Sequence, residues 1–234
     1  MINYKPLVYF VALLLCMYAQ TSQLQGQKED MLFKLKGEVL DSLTQRPVCA
    51  KIVFRNYPKK DLIGVFKNNC PDGNYQMNLL QATVYSLEVT AEGYWPLFEE
   101  LHYKDSEGFS KDFYLTPIEY GEVMRLDNVR FMRNEAAIME NSYRELNKIL
   151  TLLLSNPLLV VQLEGHTEVS HNHRYNLKLS KDRVQSIRDY LVNYGVKRSQ
   201  IKTKAYGETQ PLIDGNSLEA DRQNRRVEMR ILEI

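Results

Sequence analysis

The chain has 234 residues, a formal charge of +1 and 25% charged side chains. That length allows one large or two modest domains. A near-neutral balance with no basic stripe argues against an electrostatic nucleic-acid binder, so no nucleic-acid partner is expected.

Residues 1–26 contain Lys5, no acidic residue, and an apolar run from Leu7 to Tyr18. The run is short for a bilayer span, and Gln/Ser/Thr-rich sequence follows it. The pattern predicts an export signal over 1–26, with a membrane anchor as the alternative. Ala19 is a candidate small residue for cleavage. Cys16, after Leu13-Leu14-Leu15, leaves a lipoprotein signal open, although Leu15 stands where a small residue is usual. No later stretch is long and apolar enough for a transmembrane helix, and the many alternating segments of a membrane barrel are missing. Membrane association is therefore expected through the N-terminus or through partners.

Residues 27–118 form the first predicted domain. Phe33–Leu40, Ala50–Arg55, Leu62–Phe66, Tyr75–Leu79 and Val84–Val89 show period-two alternation over all or part of their length. Asn56-Tyr57-Pro58, Pro71-Asp72-Gly73-Asn74 and Glu92-Gly93-Tyr94 are turn signals between or after them. Short strands so punctuated predict an antiparallel β-sandwich. A hairpin across Tyr57–Lys60 would set Cys49 opposite Asn68, two positions from Cys70. Two readings stay open there. One is a Cys49–Cys70 disulfide in an oxidising compartment; the other is two small buried side chains. The aromatic residues of this segment read as core rather than as a sugar platform.

Pro117 and Gly121 mark the join, and no long linker separates the two units. Residues 119–234 then alternate strands and helices. A strand is predicted over Val123–Phe131. A helix is predicted over Ala136–Leu154, with Met139, Tyr143, Leu146, Ile149, Leu150 and Leu153 on one stripe. Leu158–Leu163 reads as a strand buried on both faces. A second helix is expected over Asn176–Asn193, ending at Gly195. Strands at Ile201–Ala205 and Val227–Ile231 flank a short helix near Leu218–Gln223. The fold class is α+β overall, the second domain being α/β with helices packed on a mixed sheet.

Several motifs in this second domain occur in a recognisable order. Gly165-His166-Thr167-Glu168 precedes Tyr175-Asn176-x-x-Leu179-Ser180-x-x-Arg183. Tyr194-Gly195-Val196, Tyr206-Gly207-Glu208 with Pro211, and Asn224-Arg225-Arg226-Val227-Glu228 follow. Together they resemble the OmpA-like, peptidoglycan-binding domain family over residues 121–234. The resemblance implies non-catalytic binding of diaminopimelate in the peptidoglycan stem peptide, without cofactor or metal. The acid falls on Glu168, which would hold the ammonium, and the arginine on Arg183, which would hold the carboxylate. Without ligand the two would pair with each other. Thr167, Asn176 and Arg225 join the implied ligand set, Asn176 alternatively capping the helix or bracing the loop. Two departures stand out. Glutamate replaces the usual aspartate, which adds a methylene. Val169-Ser170-His171 replaces Asn-Thr-Gly, which predicts a reshaped loop. His171 and His173 lack a third ligand at zinc spacing, so no metal site is expected.

The first domain resembles the carboxypeptidase regulatory-like, transthyretin-like domain. The residues that carry this are Gly37-x-Val39-x-Asp41, Thr44, Pro47-Val48, Asp72-Gly73-x-Tyr75, Tyr85-x-Leu87-x-Val89 and Ala91-x-Gly93-Tyr94. Such modules space or connect, and no peptidase is implied. The combined expectation is a periplasmic, outer-membrane-associated protein that attaches to peptidoglycan. The alternative is a scaffold in a secretion or motility complex that has lost wall binding. No nucleophile–base pair or metal triad points to an enzyme.

Overall fold

The computed structural model describes residues 32–70, 72–80, 84–102, 109–132, 134–170, 172–215 and 217–234. The predicted export signal and His171 lie outside the described residues.

Eight strands come first: β1 (Leu32–Asp41), β2 (Lys51–Asn56), β3 (Leu62–Lys67), β4 (Asn74–Leu80), β5 (Val84–Thr90), β6 (Leu97–His102), β7 (Phe109–Ser110) and β8 (Phe113–Leu115). One sheet runs β3-β2-β5-β6, and the other runs β4-β1-β7 with β8 also on β1. Alternate residues of β4 and β5 point inward. Tyr75, Met77, Leu79, Tyr85, Leu87 and Val89 join Leu35, Ile52 and Phe54 in one apolar cluster. Each such side chain gains roughly 1.5–3 kcal/mol from burial.

Two expectations need correction here. The strands are not all antiparallel, because β7 and β8 run parallel to β1. The chain reaches them from β6 of the other sheet rather than through a hairpin, which is how parallel neighbours arise. The β2–β3 hairpin is also shifted by one residue along most of its length. Lys51 faces Lys67 and Phe54 faces Gly64, whereas Arg55 faces Leu62 across a bulge. Cys49 and Cys70 are nevertheless disulfide-bonded, with Cα atoms 5.3 Å apart. Asn68 sits between them in sequence and is buried. Its side chain accepts from Ala50 N–H and donates to the Val48 and Gly73 carbonyls.

The second half contains β9 (Val123–Arg125), α1 (Tyr143–Ser155), β10 (Val160–His166), α2 (His173–Asn193), β11 (Ile201–Gly207), α3 (Leu218–Asn224) and β12 (Val227–Glu233). Its sheet has the order β11-β10-β12-β9 and is mixed: β10 is parallel to β11 and antiparallel to β12. Leu146, Ile149, Leu152 and Leu153 of α1 and Val184, Ile187 and Leu191 of α2 meet Val161, Leu163 and Met229 in a second core. Among the described residues no helix is long and apolar enough to cross a membrane.

The predicted strand Val123–Phe131 stops at Arg125, and the predicted helix starts only at Tyr143 after a 3-10 turn at Glu140–Ser142. Between them the chain doubles back. Met132 N–H donates to Ala137 O, Met139 N–H donates to Arg130 O, and Phe131 bridges Ile138. Asn134 holds φ +58°, which a helix does not accept. Met139 thus leaves the helical stripe.

Strand β10 is apolar only toward the helices. On its other side Glu164 accepts two hydrogen bonds from Arg230 and one from Gln162, so the expected two-sided apolar burial is replaced by a satisfied polar ladder.

The halves meet at the far end of α1. Asn156 accepts from Gly93 N–H at 2.6 Å and donates to Leu152 O, while its amide also reaches Tyr94 O. Trp95 packs against the second core and donates from Nε1 to Glu122.

Candidate functional site

Two close approaches set the site's geometry. A Cβ on Gly165 would lie 2.6 Å from Ser180 O and 2.8 Å from Val184 Cγ1, so only glycine lets α2 sit this close to β10. Gly207, at φ +56°, lies under Asn176 and Leu177 in the same way, and its N–H donates to Ser180 Oγ. The helix bearing Arg183 is thereby seated beside the end of β10, from which Glu168 follows.

Glu168, Arg183 and Arg225 line one cavity of about 570 Å³. Phe131, Met139 and Arg130 from the β9–α1 connection close one wall, and Asp221 and Arg222 of α3 another. Arg183 is 7% exposed. Burial pulls its guanidinium below the usual range, and the Glu168 charge opposes that shift. Its Nε donates to Glu135 O at 3.1 Å, and its guanidinium carbon lies 5.1 Å from the centre of the Phe131 ring. These contacts hold the group without neutralising it.

The expected Glu168–Arg183 pair is not the one formed. The Glu168 carboxylate pairs instead with Arg225, loosely, at 3.9 Å. Arg183 is tied back by the Glu135 carbonyl and the Phe131 face, so the acid and the buried arginine stand on the cavity wall without shared hydrogen bonds. Arg226 lines the same cavity, but its guanidinium is bound to Glu228 at 2.6 Å.

Thr167 and Asn176 lie behind the cavity rather than on it. Thr167 is buried, donating from N–H to Gly207 O and from its hydroxyl to Glu168 O. The Asn176 amide donates to Ser170 Oγ, Glu208 and, at 3.4 Å, Glu168 O. It braces the loop and is not the helix cap, because α2 starts three residues earlier with Asn172 accepting from Tyr175 N–H. Glu208, not assigned a role from sequence, ties the altered loop down. It accepts from Ser170 N–H at 2.6 Å and pairs with His173. Burial pushes its carboxyl up, but these donors outweigh burial and leave it below the usual range. Its place in the Tyr206-Gly207-Glu208 motif was the available signal. Phe131 and Arg130 carried none, because that stretch read as a strand.

Glu164, His166 and Glu228 have ligand atoms within 4.8 Å of one another on the opposite face of β10. Each carboxylate is already held by an arginine, Glu164 by Arg230 and Glu228 by Arg226. His166 stacks on Tyr206 with centroids 5.0 Å apart, and both ring nitrogens are buried without a hydrogen-bond partner among the described residues, Nε2 lying 3.9 Å from Glu228. Burial lowers its pKa to about 4, with Arg226 adding to the shift.

Comparison with known proteins shows what the second half is similar to. Residues 130–225 match the OmpA family. Outer membrane porin F of Pseudomonas aeruginosa is 35% identical over 47% of this chain and 32% of its own length. The peptidoglycan-associated lipoprotein of Buchnera aphidicola is 28% identical over 50% of this chain and 67% of its own length. The chain thus spans about a third of the porin, and the family match falls in the second half. A solved peptidoglycan-associated lipoprotein from Burkholderia pseudomallei overlays with a TM-score of 0.41 at 23% identity, covering 45% of this chain and 88% of that one.

Proposed function

We propose that the second half attaches the protein non-covalently to the cell wall by gripping the zwitterionic end of a peptidoglycan stem peptide. The observation that carries this reading is the presence of Glu168 and Arg183 on one cavity, within the segment that matches the OmpA family. Arg183 takes the diaminopimelate carboxylate in a charge-assisted pair, the guanidinium being already oriented by Glu135 O and Phe131. Glu168 takes the ammonium, exchanging its loose contact with Arg225 for a closer one. Arg225 is then free to meet a further ligand oxygen. No bond is broken, and affinity near micromolar, on the order of −8 kcal/mol, is enough when many stem peptides are displayed together.

In the same reading the two sheets of the first half form a transthyretin-like sandwich that spaces the wall-binding half from an outer-membrane or envelope-complex partner. The protein works in the periplasm, associated with the outer membrane. Pull-down with purified sacculi tests the core of this. The parent sediments, Glu168→Ala and Arg183→Ala stay in solution, and Glu168→Asp reports whether the longer side chain weakens the grip. A parent that stays in solution while the aspartate variant sediments means an eroded site. Failure of both favours the scaffold role.

A further inference from the structure

The cavity around Glu168 and Arg183 does not end there. A second cavity of about 400 Å³ adjoins it and shares Val129, Arg130, Arg222, Arg225 and Arg226 with it. The lining of the first is strongly cationic, with arginines at 130, 183, 222, 225 and 226 against carboxylates only at Glu168 and Asp221. Most of these guanidiniums are engaged. Arg183 is held by Glu135 O, Arg225 faces Glu168, and Arg226 is bound to Glu228. In the second cavity Arg125 is bound to Asp127 and to Gln223. Arg130 and Arg222 differ. Among the described residues neither guanidinium has an ion-pair or hydrogen-bond partner; Arg130 is tied only through its backbone, to Ser142 Oγ and Met139 N–H. Both line both cavities, one from the β9–α1 connection and one from α3.

We propose that Arg130 and Arg222 form a second anion subsite that takes a free carboxylate of the bound stem peptide beyond its diaminopimelate head group. The inference rests on the wall-binding reading above and extends it. A zwitterionic head group needs one acid and one base, which Glu168 and Arg183 supply. Two further unpaired guanidiniums at the exit of that cleft serve a ligand with additional negative charge. Guanidinium and carboxylate match in planar, two-point geometry, whereas a carboxamide offers one neutral acceptor and repels the donors with its own N–H groups. The cleft therefore prefers a stem peptide whose neighbouring carboxylate is free over one in which it is amidated. Because both arginines are exposed, the preference is modest, about fivefold to tenfold.

The test is calorimetric titration of the full chain with two synthetic tripeptides ending in diaminopimelate. In one the residue before it carries a free carboxylate; in the other that group is a carboxamide. The parent should bind the acid about fivefold to tenfold more tightly. Arg130→Gln with Arg222→Gln should bind the acid no more tightly than the amide, so that the ratio of the two affinities falls to about one. Replacing both with lysine should restore part of the preference. Equal affinity of the parent for both peptides overturns the second subsite alone. So does a preference that survives the double glutamine change. No binding of either peptide by the parent overturns the wall-binding reading itself, and the subsite with it.

Discussion

The two halves bury very different chemistry. Among the described residues, the first half buries only Asp41, Asn68 and Thr90 as polar side chains, while the second buries eleven, among them Glu164, His166, Thr167, Asn176, Ser180, Arg183 and Glu208. A buried polar group lowers stability unless it is fully bonded. In the first half the few exceptions serve the backbone: Asn68 holds two strand ends, and Asp41 caps its own turn at Leu43 and Thr44 and meets the Tyr94 hydroxyl. In the second half Ser142, Asn156, Gln200 and Asn224 also serve the backbone, but the other seven gather near the end of β10 and along α2, where Arg183 is buried with no carboxylate in contact. Departures from apolar packing concentrate beside the cavity that carries Glu168 and Arg183, which is where the proposed grip on the wall would act.

Four changes probe that contrast, taken from the largest effect on folding to the smallest. Gly165→Val forces a side chain into the Ser180 backbone and should cost about 4 kcal/mol or unfold the second half, as chemical denaturation would show. A smaller effect comes from acid. The His166 pKa is near 4 when folded against an ordinary 6.5, so the unfolded chain takes up a proton that the folded one refuses. The stability held above pH 6.5 should therefore fall by up to roughly 3 kcal/mol as pH drops from about 6.5 to about 4. His166→Phe keeps the stack on Tyr206 and removes the titrating ring, so denaturation curves of that variant should lose this slope. In the first half, Asn68→Ala should cost about 2 kcal/mol through unmet backbone groups, with sacculus binding unchanged. Arg183→Met should shift unfolding by no more than about 1 kcal/mol yet weaken wall binding about a hundredfold. A variant that lost both equally would show that Arg183 holds the fold rather than a ligand.

Much of this architecture was legible in the residues. Period-two alternation located β1 to β5, and apolar stripes located α1 and α2, because burial imposes those periods on any sequence that forms such elements. Strands β6, β7 and β8 were missed: β6 is an edge strand whose Leu97-Phe98-Glu99-Glu100 order breaks the alternation, and β7 and β8 are two- and three-residue pairings, too brief for a pattern. The β9–α1 connection was misread because Ala136, Ile138 and Met139 repeat like a helix, while the left-handed Asn134 and the Phe131–Ile138 bridge depend on tertiary packing. For the site, Glu168, Arg183 and Arg225 were named from motifs, and the structure sets them on one cavity. What motifs could not convey is partnership. That Glu168 leans on Arg225, that Phe131 and Glu135 O restrain Arg183, and that Glu208 anchors the loop all follow from long-range contacts.

The run of α1 has a mechanical consequence. Met139, just ahead of it, lines the cavity of Glu168 and Arg183, and Asn156, just behind it, is bonded to Gly93 and Tyr94 of the first half. Its thirteen residues span roughly 20 Å at 1.5 Å per residue. Tension applied at the cavity is carried along a single rod clamped at both ends, into a loop stiffened by the Trp95–Glu122 bond. If the second half holds the wall as proposed, the load would pass into the first half through a short tie rather than a slack tether.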